Sequence, residues 1–549
     1  MHQVRSIPAD TAQQYRDAGL WTGETFADFV TGRTTQFAER RAVVATSATG
    51  EPIRWSYADL GTAASQAAAR LRAVGVEPGD RVVVALPNIG EFVAVVLGLF
   101  RLGALPIFGL PTHRELELSQ FCEIADAAAL VVATEPGGAD WAGVHAATAA
   151  RLAGEPPVLV DVAEWAPLVG EEAGGDVAVA PEALSADAGR AAHEVGFLQL
   201  SGGTTGISKL IPRTADDYLY SVRASVEICG VTAETVMLVC LPAAHNFAMS
   251  SPGVLGVLHA GGTVVLARDP SPGTAFRLIE AERVTMASLV PPLAQAWISA
   301  AKRRRPDVSS LELIQVGGAR LADTVAAEVG PVLGAGLQQV FGMAEGLVNY
   351  TRLDDSADLI TTTQGRPISA FDEIRVVDAE DRAVPVGTEG SLLTRGPYTI
   401  RGYYGSPQAD ADSFTAEGFY RTGDLVRQLP SGHLIVTGRD KDQINRAGEK
   451  IATDELEGLA LAHPAVLDAV AVGVPDPYLG ERIALVVRLE PGAVPPDLRA
   501  HLAAAGLASH KSPDDVVVLD TFPATHVGKN SRRELRRLLV TDLATGASR

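Results

Sequence analysis

Short apolar runs alternate with amphipathic stretches through the first 340 or so residues. "RVVVAL", "ALVVAT", "PVLVDV", "TVMLVC", "GTVVLA" and "LELIQVG" are compact, rich in Val and Leu, and bounded by Gly, Pro or polar residues, as buried strands are. Between them lie helical patterns such as "YADLGTAASQAAARLRAVG". Strand and helix in alternation predict an α/β fold with largely parallel sheets. From Gln364 to Gly438 the pattern changes to short strands separated by Gly and Pro turns, which predicts a small β subdomain. The charged stretch "GRDKDQINRAGEKI" then precedes about a hundred residues with their own strand and helix signals: "DELEGLALAHP", "VLDAVAVGVPD", "RIALVVRLE", "LRAHLAAAG" and "DVVVLD". These predict a second, smaller α+β domain. The segment Ala163 to Glu194, rich in Ala, Gly, Glu and Asp and weakly periodic, reads as a surface excursion.

Composition narrows the class. A net charge of −20 and a pI of about 5.0 argue against nucleic acid as the main partner. Cys122, Cys229 and Cys240 have no metal-ligand or disulfide spacing and sit in apolar sequence, as small core residues do. The most hydrophobic run, "RVVVALPNIGEFVAVVLGLFRLGALPIFGLP", is interrupted by Pro87, Asn88, Glu91 and Arg101. It reads as strand, turn and apolar helix (about Gly90 to Leu102) rather than a membrane span. The N-terminus lacks the apolar core of a signal peptide, so a cytoplasmic enzyme without membrane partners is expected.

Candidate chemistry begins at "LQLSGGTTGISKLIPR", Leu198 to Arg213. It is not a Walker A loop: Ile207 and Ser208 separate Gly206 from Lys209, and Leu210 stands where a magnesium-binding hydroxyl belongs. Gly202, Gly203 and Gly206 permit close backbone approach, and successive N–H groups form an anion nest. Ser201, Thr204, Thr205 and Lys209 add donors and charge. A plain hairpin turn fits the same residues, and the flanking "GFLQL" and "KLIP" read as its strands.

Four further stretches follow in order: "QVFGMAE" (Gln339 to Glu345), "YRTGD" (Tyr420 to Asp424), "GRDKDQINRAGEKI" (Gly438 to Ile451) and "PATHVGKNSRREL" (Pro523 to Leu535). Together with "SGGTTGISK", this set resembles the adenylate-forming superfamily of acyl-CoA synthetases, peptide-synthetase adenylation domains and firefly luciferase, over nearly the whole chain. "YRDAGLWTGETF", "LPAAHNFAMSSPGVLG" and "FGMAEGLVNYTRLDD" bring it closest to the stand-alone 2,3-dihydroxybenzoate–AMP ligases of siderophore pathways.

The resemblance implies a large N-terminal domain of layered α/β subdomains plus the small β subdomain (residues 1–438), a hinge (439–441), and a mobile α+β C-terminal domain (442–549). It implies attack of a carboxylate on the α-phosphate of ATP, giving an acyl-adenylate and pyrophosphate, then transfer to a phosphopantetheine thiol. The loop Ser201 to Gly206 with Lys209 would hold the triphosphate, and Glu345 is a hard oxygen ligand suited to Mg²⁺. Gly318, Ala319, Arg320, Phe341 and Gly342 would line the adenine. Asp424 would take the ribose hydroxyls, and Arg439 would be a second ribose or phosphate contact. Lys529 would be the catalytic lysine, Lys441 the hinge, and Gly448, Glu449 and Lys450 part of the face used in thioester formation. His245, Asn246, Phe247, Ser251, Val340 and Val348, with Gly318, would shape the acid pocket. Asn246 stands where amino-acid-activating relatives carry an aspartate. An amide pairs poorly with an ammonium but hydrogen-bonds a 2-hydroxyl. In the family, serine and valine at the positions of Ser251 and Val348 accompany 2,3-dihydroxybenzoate, whereas cysteine and leucine accompany salicylate. Salicylate, 3-hydroxypicolinate, or free coenzyme A as acceptor are the alternatives. Ser208 and Leu210 replace the more common Pro and Gly, as the aryl-acid branch tolerates, and Ala447 replaces a common glycine. With no carrier domain after Lys529, the expected acceptor is a separate aryl carrier protein, and the basic "SRRELRRLL" is a candidate docking face or simply a solvated one.

Overall fold

The computed structural model describes residues 5–170, 190–201, 209–439, 444–446, 449–451, 453–476, 479–505, 507, 511–523 and 530–545. Lys441, Gly448, Lys529, the loop from Gly202 to Ser208 and most of the acidic excursion before Glu194 therefore lie outside the described residues.

Two large sheets carry the first part of the chain. One has nine strands, in the order Arg366–Pro367, Gly346–Tyr350, Gly336–Met343, Leu313–Gly317, Met286–Leu289, Val236–Val239, Thr263–Leu266, Arg41–Thr46 and Pro52–Ser56. Its interior pairings are parallel, and antiparallel strands close both edges. The other has six, in the order Val158–Asp161, Ala127–Val132, Arg81–Val84, Leu105–Phe108, Val195–Leu200 and Leu210–Thr214, with only the last pairing antiparallel. Helices pack on these sheets. The helix Gly90–Leu102 is buried on nearly every side, which explains its predominantly apolar sequence without a membrane. Among the described residues no helix is long and apolar enough to cross one.

The predicted β subdomain is a four-stranded antiparallel meander, Glu373–Val377, Glu389–Arg395, Tyr420–Gln428 and Leu434–Arg439. After Arg439 the described strands join none of these sheets. They form a five-stranded sheet of their own, Ile444–Arg446, Glu449–Ile451, Val466–Asp476, Gly480–Leu489 and Asp515–Val518. Its helices are Thr453–Leu461, Leu498–Ala504 and Arg532–Thr545. Leu535 and Leu539 of the last helix pack against Val470, Val472 and Val486. The fold is thus the expected α/β body with a smaller α+β unit. All three cysteines are buried and free, and burial pushes the Cys122 and Cys240 thiols up to about 12.

The basic look of "SRRELRRLL" is largely internal pairing. Arg532 binds Glu457 at 2.8 Å, Arg536 binds Glu481 at 2.5 Å, and Arg537 binds Glu534 at 2.9 Å. This favours the solvated-face reading over a free cationic patch.

Candidate active site

The Gly-Thr loop is anchored as a hairpin. Strands Val195–Leu200 and Leu210–Thr214 pair antiparallel, with Leu200 opposite Leu210. At its mouth the Ser201 N–H donates to the Lys209 carbonyl, and the Lys209 N–H donates to Ser201 Oγ, both at 3.0 Å. The Tyr404 N–H donates to the Leu210 carbonyl at 2.8 Å, tying the hairpin to the segment before the third meander strand. The Lys209 ammonium lies 4.6 Å from the Tyr403 ring centroid and 3.4 Å from Ser413 Oγ.

Tyr403 leads to Glu345. Its hydroxyl donates to Glu345 Oε1 at 3.0 Å and lies 3.2 Å from the Tyr420 hydroxyl. Burial, with the Glu345 charge adding to it, raises both phenols well above the ordinary tyrosine value. Glu345 itself lies between two strands. It sits, 7% exposed, in the tight turn between strands Gly336–Met343 and Gly346–Tyr350. The Ile400 N–H donates to its carbonyl at 2.8 Å. A Cβ on Gly346 would lie 2.6 Å from Thr399 Cα, so glycine is what lets this turn seat against the segment 399–400. Among the described residues no three His, Cys, Asp or Glu side chains cluster as a metal cage. A single buried carboxylate would fit Mg²⁺, which takes one or two protein carboxylates together with phosphate oxygens and water.

Asp424 and Arg439 face each other across strands Tyr420–Gln428 and Leu434–Arg439. Arg439 Nε donates to Asp424 Oδ1 at 2.8 Å, with Asp424 buried and Arg439 half exposed. Gly318 and Ala319 are exposed in the turn leaving strand Leu313–Gly317, and Arg320 binds Asp323 at 3.0 Å. Phe341 is half-buried and Gly342 exposed on the neighbouring strand, so these residues form one rim.

The residues expected to shape the acid pocket come from three segments. His245 caps the helix Asn246–Ser250, its Nδ1 accepting from the Phe247 N–H at 3.3 Å. Asn246 Oδ1 accepts from the buried Tyr218 hydroxyl at 2.8 Å. The Phe247 ring lies flat enough on strand Leu313–Gly317 that a Cβ on Gly317 would be 3.1 Å from it and 2.9 Å from the Val340 carbonyl. Val340 pairs with Tyr350, and Val348 shares the Tyr350 face of its strand two residues earlier. Buried Ser251 approaches the fully buried Tyr350 hydroxyl, which donates to Ser225 Oγ at 3.1 Å.

One residue at the centre of this arrangement is not singled out by its sequence. Arg213 ends the quoted loop stretch and is 2% exposed. Its Nη1 donates to the Ala344 carbonyl at 2.7 Å, Nη2 to the Tyr398 carbonyl at 3.1 Å, and Nε to Asp217 Oδ1 at 2.8 Å. Its guanidinium stacks 4.8 Å from the Tyr218 ring centroid. Arg213 thus locks the loop hairpin to the Glu345 turn and, through Tyr218, to Asn246. The only local signal is an arginine inside an apolar strand. Tyr403 gives none at all.

The anchored hairpin, the buried carboxylate turn, the Asp424–Arg439 pair and a small domain with its own sheet belong to one α/β chain. The chain belongs to the AMP-binding enzymes, whose members are ATP-dependent ligases: the family described as AMP-binding enzyme matches residues 31–404, and AMP-binding enzyme C-terminal domain matches residues 455–529. It is 49% identical over 542 residues to the 2,3-dihydroxybenzoate-AMP ligase of Bacillus subtilis, covering 98% of each chain. It is 42% identical over 550 residues to the salicyl-AMP ligase / salicyl-S-ArCP synthetase of Mycobacterium tuberculosis, covering 98% of this chain and 95% of that one. Its fold matches the apo structure of Mycobacterium smegmatis MbtA with a TM-score of 0.72 at 42% identity, covering 97% of this chain and 98% of that one.

Proposed function

We propose that the protein activates 2,3-dihydroxybenzoate with ATP and passes the aryl group to the phosphopantetheine thiol of a separate aryl carrier protein. In the first step a carboxylate oxygen bonds the α-phosphorus, the bond to the bridging oxygen of pyrophosphate breaks, and pyrophosphate leaves. In the second the thiol sulfur bonds the acyl carbon, its proton is lost, and AMP leaves. Positioning and charge neutralisation carry such chemistry. The hairpin loop with Lys209 serves the phosphates, Glu345 holds Mg²⁺, Asp424 and Arg439 hold the ribose, and Lys529 bridges carboxylate and α-phosphate. Mg²⁺ when bound neutralises phosphate charge. Residues 439–441 act as the hinge between the domains 1–438 and 442–549.

What supports the choice of acid is a neutral amide, Asn246, where amino-acid-activating relatives carry an aspartate. Its Oδ1 accepts from Tyr218, Ser251 lies by the Tyr350 hydroxyl, and Val348 stands two residues before Tyr350 on the same strand. A serine hydroxyl has a partner in a ring 3-hydroxyl, and valine leaves it room. An unpaired buried hydroxyl costs roughly 1–3 kcal/mol, so 2,3-dihydroxybenzoate is expected to exceed salicylate by about tenfold or more in kcat/KM. The 42% identity to a salicyl-AMP ligase keeps salicylate as the second reading. ATP–pyrophosphate exchange with 2,3-dihydroxybenzoate, salicylate and 3-hydroxypicolinate, followed by transfer to a carrier protein or coenzyme A, tests both. Faster exchange with either rival acid overturns the pocket assignment, and no exchange with any of them overturns the function.

A further inference from the structure

Tyr398 is 1% exposed and belongs to no motif used above. Its hydroxyl accepts a hydrogen bond from the Val348 backbone N–H at 3.2 Å and donates one to Asp372 Oδ2 at 2.6 Å. Asp372 Oδ2 also accepts from the Ser369 N–H at 3.2 Å, and Ser369 Oγ binds the Tyr220 hydroxyl at 2.7 Å. Asp372 Oδ1 is buried and has no hydrogen-bond partner among the described residues, so the carboxyl is held at a desolvation cost for the sake of the one oxygen it presents. At its other end Tyr398 is fixed by Arg213, whose Nη2 donates to the Tyr398 carbonyl at 3.1 Å. The Val348 carbonyl accepts from the Ile368 N–H at 3.0 Å. Both backbone groups of Val348 are therefore tied to points outside the neighbouring strand Gly336–Met343, one of them to a phenol. The pairing of those strands is irregular just beyond Val348, between Gly342 and Met343, so ladder bonds alone do not set its position.

We infer that Tyr398, braced by Asp372 and Arg213, is a positioning residue that sets the depth of Val348 in the acid pocket and so tunes discrimination among ring-substituted aryl acids. The inference rests on reading Val348 as a wall of that pocket. A shift of the Val348 backbone by a fraction of an ångström alters the space for a ring 3-substituent, whereas Asp424 and Arg439 sit on strands of a different sheet.

Tyr398→Phe tests this, because it removes one oxygen and keeps the ring. Pyrophosphate exchange is measured for 2,3-dihydroxybenzoate and salicylate with both KM values resolved. The expected result is a rise of about tenfold in KM for 2,3-dihydroxybenzoate, the effect of one unpaired buried N–H. The preference over salicylate falls by a similar factor, and KM for ATP stays within about twofold. Asp372→Asn keeps an oxygen acceptor for the phenol and should retain the wild-type preference, while Asp372→Ala should reproduce Tyr398→Phe. If Tyr398→Phe does not fold, that aspartate pair decides. A folded Tyr398→Phe with wild-type KM and preference, equal rises in KM for acid and ATP, or Asp372→Asn and Asp372→Ala that behave alike would overturn the inference. Absence of aryl-acid-dependent exchange in the wild-type enzyme would instead overturn the functional reading, and this inference with it.

Discussion

Replacing Arg213 should disconnect the phosphate side of the site from the acid side. Arg213→Met keeps the aliphatic stem but removes the fork. It leaves the Ala344 and Tyr398 carbonyls without their donor and the Asp217 carboxylate without its cation. Breaking a buried pair by removing one partner costs roughly 3–5 kcal/mol. The lower part of that range is expected here, because the Thr214 N–H and hydroxyl still donate to Asp217 Oδ2 at 2.9 and 2.7 Å. Arg213→Lys keeps the charge, but one ammonium does not span Asp217 and two carbonyls. It should lose about 1.5–3 kcal/mol, the worth of a charged hydrogen bond. Urea unfolding followed by tryptophan fluorescence measures the first number. Exchange kinetics at saturating acid measure the second consequence, a higher KM for ATP as the Glu345 turn loosens. An Arg213→Met enzyme within about 1 kcal/mol of wild type, exchanging pyrophosphate at the wild-type rate, would refute the idea that this arginine organises the site.

Glu345→Gln keeps the shape of the turn and the contact to Tyr403 but removes the charge for Mg²⁺. Exchange should fall by about a hundredfold, and a Mg²⁺ titration should show a raised half-saturation; an unchanged titration would assign the metal elsewhere. Lys529→Ala should abolish adenylate formation and spare conversion of pre-formed aryl-adenylate to thioester, read by single-turnover assay. Ser251→Cys with Val348→Leu should move the preference toward salicylate, and competition between the two acids in one exchange reaction reads the shift directly. Burial pushes the Asp372 carboxyl up to about 7 despite the bonds it accepts from Tyr398 and Ser369. Because the folded value lies above the unfolded one, its stabilisation is present in full below about pH 4 and is lost as pH rises through 7. The difference in unfolding free energy between wild type and Asp372→Asn should therefore change by about 2.7 kcal/mol between pH 5 and pH 8, the two pH units from 5 to 7 at 1.36 kcal/mol each, and a pH-independent difference would contradict this.

Local periodicity by itself determined the elements. Valine-rich runs became the parallel strands, "YADLGTAASQAAARLRA" became the helix Tyr57–Ala73, and the Gly- and Pro-punctuated stretch became the four-stranded meander. Asp424 and Arg439, which the motifs pick out, face each other across two adjacent strands, because a strand pair fixes which residues stand opposite. Tertiary structure alone decided what depends on contacts between distant segments. Glu345 turned out to be a buried hairpin-turn carboxylate under two phenols, since the next strand, Gly346–Tyr350, runs back beside its own and seats the turn on the segment 399–404. The arginines of the last helix pair with Glu481 and Glu457, acids 55 and 75 residues earlier in the chain. Arg213, Tyr403, Tyr398 and Asp372 carry no spacing that marks them. Their roles arise because the six-stranded sheet, the nine-stranded sheet and the meander meet at one point. A buried hydrogen bond there joins residues 131 to 185 positions apart, a separation that no local pattern encodes.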